Sequence, residues 1–254
     1  MQRGPSWLGP HFLVKYYLHY NTQTIKLTIV QAPRASAYPQ GLEGRSISNG
    51  VPLRIQPLGD SITYGYLSTT GDGYRNDLLG RLAGNSVQYI GSVRSGSMSD
   101  NYNEGHPGAV ITEIATFAKL SLPERPNVVL LMAGTNDCNN GLDISTMPER
   151  LGSLIDEVVD ACPDAAVIVA QLTPILSLNS QYNVGQFNDA IPSIVATRVQ
   201  AGKHVLVVNM SSKVTTSDLK DGLHPNDHGY DLMSEVWIGG IQEAGEKGWI
   251  KNPV

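Results

Sequence analysis

Five short apolar runs alternate with helical patterning from Leu53 onward, and that alternation is the tightest constraint on what the chain can fold into. The runs lie at Leu53–Leu58, Val87–Ile90, Val128–Met132, Ala165–Leu172 and Lys203–Val208. Val128-Val129-Leu130-Leu131-Met132 has no polar interruption, which is the signature of a parallel strand covered on both faces. Between the runs, apolar residues recur at helical spacing. Leu78, Leu79 and Leu82 mark a helix over 74–82, and Val110, Ile111, Ile114 and Phe117 mark one after Gly108. Leu151, Leu154, Ile155, Val158 and Val159 line a helix over 146–161, with Thr146 and Glu149 at capping-box spacing. A fourth helix is expected over 187–199, interrupted by Pro192, and a last one over 227–244. Gly91–Gly108 reads as a long Gly/Ser/Asn-rich loop, and Gly134–Asp137 as a turn.

Strand and helix alternating five times predict an α/β fold, a three-layer α/β/α sandwich around a five-stranded parallel sheet with right-handed crossovers. The flavodoxin-like strand order 2-1-3-4-5 is expected, because its switch point brings the loops after strands one and three together. The chain is expected to form one domain over 51–254 behind an irregular extension, or degenerate leader, over 1–50. Lys15, His11 and His19 interrupt the apolar residues of that extension, and Ala35-Ser36-Ala37 offers a small-residue cleavage site. A net charge of −5 without a Lys/Arg run argues against a nucleic-acid partner. No apolar stretch is long enough to span a membrane. The two cysteines, Cys138 and Cys162, flank the 146–161 helix. Its ends lie about 24 Å apart at 1.5 Å per residue, against the 7 Å or so a disulfide tolerates, so two free thiols are expected.

The first run stops at Gly59-Asp60-Ser61, which places Ser61 just past the carboxyl end of a strand, where open α/β sheets bind ligands. A serine there is a candidate nucleophile if a base can take its proton. Asp221-Gly222-Leu223-His224-Pro225 supplies one, since a tight turn at Gly222 lets Asp221 hold one imidazole nitrogen of His224 while the other faces Ser61. Each motif alone also fits a capped turn or an ordinary loop before a helix. The Ser61 amide, the Gly108 amide and the Asn136 side chain are candidate oxyanion donors at the same sheet edge. Tyr64, Tyr66 and Tyr102 are candidate sugar-stacking residues, and His106 in the long loop a candidate substrate contact. Arg75 is expected to pair with a loop carboxylate, and Asp137 to bond the turn that presents Asn136. His224 and His228 share a helical spacing, but no third ligand is marked, so no metal and no cofactor are expected.

Taken together these residues resemble the SGNH hydrolase superfamily, the GDSL esterases and lipases. Gly59-Asp60-Ser61, Gly108, Gly134-Thr135-Asn136-Asp137 and Asp221-Gly222-Leu223-His224-Pro225 match its four blocks in order. The resemblance implies Ser61 as nucleophile, His224 as general base, Asp221 as its orienter, and Ser61, Gly108 and Asn136 as the oxyanion hole. Within the superfamily, Gly73-Tyr74-Arg75, Tyr89-Ile90-Gly91-Ser92 and Asn103-Glu104-Gly105-His106-Pro107-Gly108 look most like carbohydrate esterase family 3, whose members deacetylate xylan. The function implied is a serine esterase for short acyl groups on a small-molecule or polysaccharide ester, acting as a monomer. Family resemblance points to an extracellular location, with a cytoplasmic one as the alternative because no clear leader is present. A thioesterase or lysophospholipase, or a non-catalytic carbohydrate-binding protein with the same fold, are the alternative functions.

Overall fold

The computed structural model describes residues 46–254; the expected leader over the first residues lies outside them. Five strands run parallel: β1 (Leu53–Gly59), β2 (Val87–Tyr89), β5 (Val128–Met132), β6 (Ala166–Gln171) and β7 (Val205–Asn209). β1 pairs with β2 and with β5, β5 with β6, and β6 with β7. The sheet has seven strands where five are expected, because the segment read as a long loop contains β3 (Val93–Arg94) and β4 (Tyr102–Gly105). β4 pairs parallel with the second half of β1 and antiparallel with β3, so β2 and β4 share one edge of β1.

The reason β4 escapes a hydrophobic pattern is that its interior is polar. Asn103 and Glu104 are fully buried. Glu104 accepts from the Ser92 amide and hydroxyl at 2.9 and 2.5 Å, from His106 Nε2 at 2.5 Å and from the Ser121 hydroxyl. Asn103 donates to Ser95 Oγ at 2.9 Å and accepts from the Gly105 amide. Buried polar groups are tolerated when each finds a partner, and these do.

Seven α-helices accompany the sheet among the described residues: α1 (Ser61–Tyr64), α2 (Tyr74–Arg81), α3 (Ile111–Ser121), α4 (Thr135–Asn140), α5 (Met147–Ala161), α6 (Leu178–Gln200) and α7 (Asp227–Glu246). α2 packs on α7, while α5 packs on both α3 and α6, so helices cover both sides of the sheet. The core is continuous across these layers, and Ile47 in the turn ahead of β1 is buried with it.

Two helices start differently from expectation. The Thr146–Glu149 capping box does not form; a 3₁₀ turn, Ile144–Thr146, precedes α5, and the Thr146 hydroxyl donates to the Asp143 carbonyl at 3.0 Å instead. α6 begins at Leu178 and runs through Pro192 without a break. Proline leaves the carbonyl four residues back without its helical donor. Here that carbonyl, on Asn188, accepts from Gln171 Nε2 of β6 at 2.7 Å, so a sheet side chain replaces the missing amide. Cys138 and Cys162 are buried free thiols, and burial pushes the Cys138 thiol up to about 12.

Candidate active site

The sheet register builds the site. Gly59, the last residue of β1, pairs with Gly105 at the end of β4 and with Met132 at the end of β5. Three carboxyl ends therefore lie side by side, and Ser61, Gly108 and Asn136 follow them within four residues. Gly59 must be glycine in this setting, since a Cβ would lie 2.4 Å from the Met132 carbonyl and 2.4 Å from Thr63 Oγ1. Its own carbonyl accepts from the His106 amide at 3.0 Å, which anchors the segment leading to Gly108.

Ser61 opens α1, capped by Asp60, whose Oδ1 accepts from the Ile62 amide at 2.9 Å. Ser61 Oγ lies 2.9 Å from His224 Nε2, and His224 Nδ1 lies 2.8 Å from Asp221 Oδ2. Asp221 Oδ1 also accepts from the Leu223 and His224 amides at 3.0 and 2.8 Å. This closed turn requires Gly222 at φ +87°, the left-handed region that a side chain disfavours. Burial pushes the Asp221 carboxyl up, but the bonds from His224 and Leu223 outweigh it and hold the carboxyl below its usual range. The turn is fixed from outside as well. Lys220 N donates to the His224 carbonyl at 2.7 Å, and Leu176 N donates to the Gly222 carbonyl at 2.8 Å. Ser61 and His224 are buried, while about half of the neighbouring Tyr66 is exposed (47%), its ring edge-on to His224 at 4.8 Å between centroids.

Beyond the end of β5, Asn136 Nδ2 donates to the Ala109 carbonyl at 2.9 Å. An amide group has two N–H bonds, so the second stays available. Gly108 is exposed, at φ +85°, in the turn where Ala109 N donates to the His106 carbonyl at 3.0 Å. Asp137 bonds not the turn itself but the amide of Ile111, at 3.1 Å, and it pairs with Arg150.

The structure thus brings Ser61, Asp221 and His224 together, and the sheet register sets Gly108 and Asn136 on segments that leave the same carboxyl edge. The other expected contacts fare differently. His106 stacks on Phe117 at 3.7 Å and its Nε2 meets Glu104, so its ring is engaged in holding the loop. Tyr102 lies under the Arg94 guanidinium at 4.8 Å, and Tyr64 is half-buried with its carbonyl taken by Arg75 and Ser95. Neither tyrosine makes a hydrogen bond or ring contact with Ser61, Asp221 or His224 among the described residues, whereas Tyr66 does. Arg75 does not pair with a carboxylate among the described residues, contrary to expectation. Fully buried, it donates to the carbonyls of Tyr64, Gly71, Ser95 and Asn101 and to Ser95 Oγ, tying the end of α1 and the loop after it to the β3–β4 loop. His228 Nδ1 sits 2.9 Å from Asp218, and no group of three metal-ligating side chains occurs among the described residues.

Two features of the site carried no sequence signal. Asp60 is fully buried beside Ser61, and desolvation pushes its carboxyl up to about 6 against the bonds that favour its charge. Arg150 reaches the loop after β5 from α5, a contact that helical spacing alone does not reveal.

Fold and site together define a hydrolase-like edge of an α/β sheet, and comparison with known proteins gives it a family. Residues 58–232 match the GDSL-like lipase/acylhydrolase family, and the chain belongs to it. The SGNH/GDSL resemblance read from the motifs is thereby confirmed. A multidomain esterase from Ruminococcus flavefaciens is 29% identical over 222 residues, covering 75% of this chain but only 28% of that protein's length. A family 3 carbohydrate esterase from Clostridium thermocellum superposes with a TM-score of 0.66 at 30% identity, over 76% of this chain and 99% of its own. A carbohydrate esterase family 3 structure from Talaromyces cellulolyticus shares the fold at a TM-score of 0.61 and 24% identity, over 78% of this chain and 98% of its own.

Proposed function

We propose that the protein is a serine esterase that removes short acyl groups, acetyl foremost, from a carbohydrate such as acetylated xylan, through a Ser61–His224–Asp221 triad. The observation that carries this reading is the unbroken relay of 2.9 and 2.8 Å from Ser61 Oγ through His224 to Asp221. Nδ1–H donates to the carboxylate, which leaves Nε2 bare to accept from the serine hydroxyl. Ser61 Oγ attacks the ester carbonyl as its proton passes to Nε2. The carbonyl oxygen, now negative, is received by the Ser61 and Gly108 amides and the second N–H of Asn136. His224 then gives the proton to the leaving alcohol, and the acyl group stays on Ser61. Water, deprotonated by the same nitrogen, releases the acid and restores the serine.

The carbohydrate substrate is inferred from the family 3 likeness and from the half-exposed ring of Tyr66 beside the base, an amphipathic surface of the kind that stacks on sugars. The Ser61–His224–Asp221 relay closes within a single chain, so action as a monomer is proposed, and a polysaccharide substrate implies work outside the cell. No described helix is long and apolar enough to cross a membrane. The test is hydrolysis of acetate, butyrate and octanoate aryl esters beside acetylated xylan. The reading expects acetate release from xylan and the fastest aryl turnover with acetate. Preference for octanoate with no release from xylan would refute the substrate assignment and favour a lysophospholipase-type enzyme.

A further inference from the structure

We propose that Arg150 is the positioning residue of the oxyanion donors, acting through Asp137; the inference rests on the acyl-transfer reading of the site. The start of α4, which carries Asn136 and Asp137, and the segment after Gly108 touch at two points. Asn136 Nδ2 donates to the Ala109 carbonyl at 2.9 Å, and Asp137 Oδ2 accepts from the Ile111 amide at 3.1 Å. Ile111 is the first residue of α3, so its amide has no partner within the helix. Asp137 therefore pins the start of α3, and with it the chain just after Gly108, to the residue next to Asn136.

Asp137 is itself fully buried, and a buried carboxylate holds its place only when its charge is met. Arg150 meets it. Its Nη1 donates to Asp137 Oδ1, its Nη2 to the carbonyls of Leu142 and Asp143, both at 3.2 Å, and its Nε to Thr146 Oγ1 at 3.3 Å. One guanidinium thus closes the chain between α4 and α5, including Asp143 at a strained φ of +42°, and supplies the counter-charge for the pin. Arg150 makes no contact with Ser61, Asp221 or His224 among the described residues. Its influence on the reaction therefore runs through the geometry of the donors and not through the base.

Oxyanion donors act over 2.7–3.1 Å, so a loop shifted by a few tenths of an ångström weakens the transition state more than the bound ester. Removing the guanidinium leaves Asp137 buried with the Ile111 amide as its remaining hydrogen-bond donor among those described. The loops then drift apart or the carboxyl turns away, and both displace Gly108 from Asn136.

The experiment compares wild type, Arg150→Met, Arg150→Lys and Ser61→Ala on an aryl acetate. Arg150→Met is expected to lower kcat about ten- to a hundredfold, less than the roughly hundred- to thousandfold of a donor removed outright, with KM changed less than about threefold. Arg150→Lys keeps the charge but loses the fork, and should recover part of kcat. The midpoint of the acid limb of kcat/KM should stay at its wild-type position in both variants, because His224 keeps its surroundings. A variant with lowered melting temperature but wild-type kcat would make the arginine structural only. A rise in KM alone would make it a substrate contact, and a displaced acid limb would make it part of the base. If Arg150→Met does not fold, Arg150→Lys decides, and wild-type kcat there overturns the proposal. A wild type without Ser61-dependent turnover would instead remove the acyl-transfer reading on which all of this stands.

Discussion

Replacing Asp221 by asparagine tests the relay more sharply than deleting any member of it. The Asp221 carboxylate performs two tasks with its two oxygens, Oδ2 receiving His224 Nδ1 at 2.8 Å and Oδ1 receiving the Leu223 and His224 amides at 3.0 and 2.8 Å. Asparagine can serve only one. If its oxygen stays with the two amides, its NH₂ faces Nδ1, which must then be the bare nitrogen, and the proton moves to Nε2 against Ser61. If the side chain flips, its NH₂ opposes two amide donors and two hydrogen bonds are lost, a cost of about 2 kcal/mol at roughly 1 kcal/mol each. The first arrangement is therefore preferred, and the base is held in the wrong tautomer. Loss of a triad acid in this way lowers kcat by up to about 10⁴. Alanine should do less harm, because the Asp221 side chain is 42% exposed and water can enter to accept from Nδ1. The assay is steady-state hydrolysis of an aryl acetate by both variants, with melting temperatures recorded. A greater loss of kcat in Asp221→Asn than in Asp221→Ala supports the reasoning. Asparagine retaining more than about a tenth of wild-type kcat, or exceeding alanine, would refute it.

Asn136→Ala removes one proposed oxyanion donor and the bond to Ala109, and should lower kcat about 10²–10³-fold while KM stays near wild type, as measured by saturation kinetics. Tyr66→Ala should raise KM for acetylated xylo-oligosaccharides while leaving KM for an aryl acetate nearly unchanged, because the half-exposed ring beside His224 is proposed to stack on a sugar that the aryl ester lacks. Asp60 gives a stability signature. Its carboxyl is raised from 3.8 to about 6 by burial, so the folded protein binds this proton more tightly than the unfolded chain. The stability it contributes is fully present below pH 4 and lost as pH rises to about 6, a change of about 3 kcal/mol at 1.36 kcal/mol per unit. Denaturant unfolding of wild type and Asp60→Asn from pH 4 to 7 should show the difference between them moving by that order, wild type losing ground as pH rises. A difference that stays flat would mean the carboxyl is solvated.

Much of the fold was legible because its elements follow the hydrophobic effect. β5 is apolar at every position since both faces are covered, and α5 carries its stripe where it meets α3 and α6. What was not legible is held by polar groups. β4 buries Asn103 and Glu104, whose partners come from Ser92, Ser95, His106 and Ser121, and no periodicity announces such a strand. α4 (Thr135–Asn140) is almost wholly polar, and the first turns of α6 are too. The continuity of α6 through Pro192 depends on Gln171 of another element. The site divides in the same way. Ser61, Asp221 and His224 stand in short local motifs, and the chemistry of each residue type made them visible. Asp60 and Arg150 matter through what they touch, and of the residues favoured by their loop positions Tyr66 does meet His224, whereas Tyr64, Tyr102 and His106 have other partners in the fold.

The most direct test of the central claim, that Ser61 carries the acyl group, is intact-mass and peptide-level mass spectrometry after exposure to a serine-directed organophosphonate. The account predicts a single adduct on the peptide containing Ser61, absent in Ser61→Ala and formed far more slowly in His224→Ala. A folded wild type that stays unlabelled, or an adduct that persists in Ser61→Ala, would contradict it.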